Sequence, residues 1–89
     1  VDFNNLSASE QRRINKELEA KARRKEREQK RLEEEIESLE KEMAELEEEM
    51  CREEVFSDHV LLARYHDRSE ECKTKLSEAY DHWVLVQEE

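Results

Sequence analysis

The sequence predicts an all-α fold in which two long helices form an antiparallel coiled-coil hairpin. Two apolar seams and the gap between them carry that prediction. Leu32, Ile36, Leu39, Met43, Leu46 and Met50 recur at alternating spacings of four and three. After an interruption, Leu62, Tyr65, Ser69, Cys72, Leu76, Ala79, Trp83 and Val86 resume the rhythm. This is heptad spacing, which lines one stripe along each helix. Composition agrees: the 89 residues include no Gly and no Pro, and 47% are charged. The usual helix breakers are missing, and Ala, Leu, Glu, Lys and Arg favour long helices. Each seam can bury itself against the other within one chain. That favours a monomeric hairpin over an intermolecular dimer merely kinked at residues 52–57.

Residues 1–8 lack periodicity and read as a linker from an upstream region, leaving 9–89 for the hairpin. The first helix is expected over about 9–51. Ser9 is its expected N-cap, and Ser7 is a second candidate because Glu10 follows three residues later, as in a capping box. Glu17 with Lys21, Glu26 with Lys30 and Glu37 with Lys41 have the four-residue spacing that supports a helix. The connection falls at about 52–57, where Val55 and Phe56 are expected to fold inward and plug the hairpin. Ser57 or Asp58 caps the second helix, which runs to about residue 87. The first helix is longer, so its first turns should overhang.

With the fold near residue 55, facing positions have numbers summing to about 110. Leu76 then faces residues 34–36, and Trp83 covers the side-chain stems around Lys25. Arg64, Arg68, Lys73 and Lys75 lie opposite the acidic stretch 33–49, a charge complementarity that selects orientation.

An apolar content of 35% fills a seam but not the walls of a cleft, so no catalytic residues and no enzyme activity are expected of these residues. No apolar run approaches the roughly twenty residues that span a bilayer. With no signal-peptide segment either, a cytoplasmic protein without a membrane partner is expected. Cys51 and Cys72 would lie about 20 Å apart along the hairpin, too far for a disulfide. Cys51 and His59 could approach across the loop, but two ligands make no metal site. Cys72 is read as a small seam residue. His66 and His82 flank seam positions without a catalytic constellation, and Trp83 and Tyr80 are read as packing residues rather than base-stacking ones.

Charge is distributed unevenly. Residues 1–31 hold ten Lys or Arg against six Asp or Glu, while residues 32–89 hold six against twenty. On a helical wheel, Arg12, Arg13, Lys16, Arg23, Arg24, Arg27, Lys30 and Arg31 share an arc of about 120° free of acids. A stripe of eight cations can track a phosphate backbone, releasing counterions as it does so. A solvated coiled-coil surface, or a face complementary to an acidic protein domain, has the same appearance. Nothing in the stripe suggests base-specific readout.

Beyond these readings, residues 33–50, the corner Val55-Phe56-Ser57-Asp58-His59 and the ending Tyr80-Asp81-His82-Trp83 resemble the C-terminal coiled-coil domain of ABC-F proteins. These are soluble, non-transporting ATP-binding cassette proteins, and the likeness is strongest to the Uup-like members. Leu6-Ser7-Ala8-Ser9-Glu10-Gln11-Arg12 is similar to the entry into that domain. The corner and the ending are moderately specific, whereas the Glu/Leu repeats are not. Arg52-Glu53 departs from the Asp-Pro that often opens the family's corner. The resemblance implies tandem ATPase domains upstream, which would use ATP and Mg, with no cofactor in these residues. It also implies DNA as partner for Uup-like domains and ribosomal RNA for ribosome-bound translation factors. The expected function is thus a nucleic-acid-binding appendage gripping phosphates through the basic stripe. The alternatives are a protein-interaction or spacer coiled coil, and a tRNA-binding helical arm like that of seryl-tRNA synthetase.

Overall fold

A computed structural model describes residues 6–89, and the five residues before them, part of the expected 1–8 linker, lie outside the described residues. Three helices follow in order: α1 at Ala8–Met50, α2 at Glu53–Phe56 and α3 at His59–Gln87. The molecule is an elongated rod, 73 × 16 × 12 Å.

Helix α1 begins two residues earlier than a Ser9 cap would allow. Ser7 is the N-cap: its backbone is extended (φ −63°, ψ 158°) and its hydroxyl accepts from the Glu10 amide at 3.2 Å. Gln11 Nε2 donates to the Leu6 carbonyl at 3.1 Å, fastening the entry further. Along α1, the three expected Glu–Lys pairs do not close within 4 Å among the described residues. Arg31 instead takes Glu28 and Glu35.

The chain reverses without glycine. Arg52 (φ −73°, ψ 137°) and Asp58 (φ −107°, ψ 103°) are extended residues on either side of the single turn α2. No described residue has positive φ. Asp58 caps α3, its Oδ1 accepting from the Val60 and Leu61 amides, both at 3.1 Å. The expected plug is half right. Val55 is 3% exposed, but Phe56 is 51% exposed. Neighbouring helical residues point about 100° apart, so one turn cannot aim both inward.

Leu32, Ile36, Leu39 and Leu46 of α1 and Ser69, Cys72, Ala79 and Val86 of α3 are buried. Ile36, Leu39, Cys72 and Ala79 form one cluster, with Met43, Leu76 and Trp83 packed against it. The fully buried residues of α3 are small and those of α1 large, while the large Leu76 and Trp83 of α3 are half-buried. Burying each Leu or Ile contributes about 1.5–3 kcal/mol. The polar members of the seam are also satisfied: Cys72 Sγ donates to the Leu39 carbonyl at 3.2 Å, and Ser69 Oγ lies 3.8 Å from Met43 Sδ.

Contacts between the helices join Glu42 with Arg68, Leu39 with Cys72, Glu28 with His82, and Lys25 with Gln87. Position numbers fall along α1 as they rise along α3. Trp83 corrects one expectation. Its Nε1 donates to Glu33 Oε1 at 3.3 Å, not to the region of Lys25. Helical side chains lean toward their own N-terminus, which carries Trp83 one to two turns toward higher numbers on α1. Tyr80, donating to Glu40, leans the same way. The expected charge ladder is also thinner than the sequence suggested. Among Arg64, Arg68, Lys73 and Lys75, Arg68 reaches across to Glu42 at 3.8 Å, and Lys73 pairs with Glu70 on its own helix.

Candidate nucleic-acid interface

Helix α3 ends level with Lys25. The Lys25 ammonium donates to the Gln87 carbonyl at 3.0 Å and the Glu89 carbonyl at 3.3 Å, neutralising orphan acceptors at the end of α3. Residues 8–24 of α1 therefore project past the described end of α3, by about 25 Å at helical rise. Spacing alone does not assign Lys25 this part, because on the wheel it lies in the seam and away from the basic stripe. Its seam position near the end of the second helix was the available signal.

All eight predicted stripe cations are exposed. The helix brings them to one side because residues three, four and seven apart share a face. They are not electrostatically equal. Arg31 donates from Nη2 to Glu28 Oε1 at 2.6 Å and from Nε to Glu28 Oε2 at 3.2 Å. Its Nη1 also reaches Glu35 Oε2 at 3.4 Å. That fork raises the pKa of Arg31 and, through the same hydrogen bonds, lowers that of Glu28. His82 from α3 approaches the same Glu28 oxygen at 3.6 Å. Arg31 is the member of the stripe whose charge is already answered.

Arg12, Arg13, Lys16, Arg23, Arg24, Arg27 and Lys30 form no ion pair or hydrogen bond among the described residues. Seven cations thus face solvent in two groups, with Arg12, Arg13 and Lys16 near the start of α1 and the others flanking the end of α3. Arg24 and Arg27 join Lys21, Lys25, Glu28, Arg31 and Glu89 around a shallow concavity.

The aromatic residues are elsewhere. Trp83 and Tyr80 sit in a notch with Glu33, Ile36, Glu37 and Glu40, hydrogen-bonded to two of those acids. The hydrogen bond to Glu40 raises the pKa of Tyr80. Cys51 is exposed, Cys72 is buried, and both are free thiols. Burial raises the Cys72 pKa, as fits a packing residue rather than a nucleophile. Among the described residues no helix is long and apolar enough to cross a membrane.

No curated protein and no solved structure matches this chain. A family model described as ABC transporter C-terminal domain matches residues 5–88. That span takes in the Ser7 cap, the corner and the Tyr80–Trp83 ending that first carried the resemblance to ABC-F proteins. The chain belongs to the ABC transporter C-terminal domain family.

Proposed function

We propose that residues 9–89 form an antiparallel coiled-coil hairpin that binds DNA or ribosomal RNA as the C-terminal domain of a soluble ABC-F ATPase. The inverse order of the contacts from Glu42–Arg68 to Lys25–Gln87 supports the antiparallel pairing. The observation that carries nucleic-acid binding is the set of seven exposed cations without partners on one acid-free face. Side chains held in internal ion pairs would have to break them to reach phosphates, and these seven do not. The ATPase domains, with their ATP and Mg, would lie upstream and position this arm in a cytoplasmic protein.

Arg23→Glu, Arg24→Glu and Arg27→Glu together test the assignment. Binding to labelled nucleic acid at low salt should fall by about a hundredfold or more, while the circular dichroism of the hairpin stays unchanged. Unaltered affinity would remove the stripe from the interface and favour the protein-interaction reading.

A further inference from the structure

The outer face of α1 changes sign partway along its length. Within the same arc of about 120° that holds the basic stripe, residues 34–49 present Glu34, Glu42, Glu45, Glu48 and Glu49 against a single cation, Lys41. Glu34, Glu45 and Glu48 are exposed, and Glu42 and Glu49 are half-buried. The reversal coincides with Arg31, whose charge is taken up by Glu28 and Glu35. On α3, the aromatic pair that could stack on bases is held among Glu33, Glu37 and Glu40.

Resting on the nucleic-acid reading above, we propose that the ligand is a double-stranded nucleic acid, crossing the rod over residues 12–30 rather than lying along it. Two arguments lead there. A polyanion aligned with the rod would run from the seven free cations directly onto an acidic face, where each phosphate meets a like charge. Only a path across the axis keeps its phosphates within the basic length, about 28 Å of helix. The second argument concerns strandedness. Proteins that hold single strands combine a basic groove with aromatic platforms worth about 1–3 kcal/mol per base. Residues 6–31 contain no aromatic side chain, and Tyr80 and Trp83 lie in an acidic notch. A rigid helix with cations at fixed spacing offers phosphate contacts alone, and these favour the denser charge of a duplex. The acidic body then stands away from the duplex.

Cys51 supplies the probe. It is exposed at the opposite end of the rod, about 45 Å along the helix from the middle of the stripe, and Cys72 is too buried to compete for label. The chain carrying on Cys51 a donor whose Förster distance to the acceptor is well below the roughly 45 Å to the stripe is titrated with a duplex DNA of about 20 base pairs, the matching duplex RNA, and one strand of each. Every ligand bears an acceptor at its centre. The expected result is that a duplex binds at least about tenfold more tightly than its single strand, with little energy transfer in the complex. The two duplexes distinguish DNA from RNA as the source of the phosphates, and a preference for either supports the proposal. Strong transfer in a saturated complex would overturn the crosswise path, and equal affinity for single strands would overturn the duplex assignment. Both leave the nucleic-acid reading standing. Absence of binding to all four ligands at low salt would overturn that reading, and this proposal with it.

Discussion

The projecting and the paired stretches of this rod use the same secondary structure for opposite purposes. Leu32 on the paired stretch of α1 is 1% exposed, whereas Leu18, two heptads earlier in the same register, is 60% exposed. Both residues keep the helical rhythm, yet one is locked against α3 and the other has only its own helix. Charge divides at the same place, with the cations concentrated before Leu32 and the acids after it. Helicity in the N-terminal part rests on local propensity and its Ser7 cap, while helicity in the paired part rests on tertiary burial. A segment that contributes little to the seam is free to carry unbalanced charge.

Truncating the seam should separate the two regions most sharply. Leu32→Ala is expected to cost about 2–4 kcal/mol, read from urea denaturation. Leu18→Ala should stay within about 0.5 kcal/mol. Similar losses at both sites would mean that the projecting turns are packed in solution. The caps make the same comparison at lower energy. Asp58→Ala, which removes two amide hydrogen bonds at the hairpin corner, should cost about 1 kcal/mol. Ser7→Ala should barely move the global transition and should instead increase amide exchange in the first turns of α1.

A smaller effect follows from pH. Burial raises Cys72 and the Glu40 hydrogen bond raises Tyr80, so folding favours their protonated forms. Their contribution is complete below the ordinary values of 9.0 and 10.0 and is lost as pH climbs through the raised ones. The urea midpoint should therefore decline from about pH 9 upward, less steeply in Cys72→Ala. On the acid side, Glu28 acts in the opposite sense. Its stabilisation is present above its ordinary 4.5 and fades as pH falls through the lowered value. Because the pair with Arg31 is exposed, that change should be the slightest of the set. A midpoint flat above pH 9 would show that neither Cys72 nor Tyr80 keeps its contact in solution.

The periodicity of the seams determined the helical class, the break near residue 52 and the burial of Leu32, Leu39, Cys72 and Val86. Repeated spacing is a local property that survives without knowledge of neighbours. The eight stripe cations and their common face were legible for the same reason. Other features waited on the tertiary structure. Ser7 rather than Ser9 closes α1, Phe56 turns outward, Trp83 reaches Glu33, and Arg31 withdraws from the stripe into Glu28 and Glu35. Lys25 leaves the seam to cap the end of α3. Each outcome depends on side-chain direction and on which of several partners lies within reach. Spacing along the chain fixes which residues share a face; only the packed helices decide which of those residues are already satisfied and which remain free to bind.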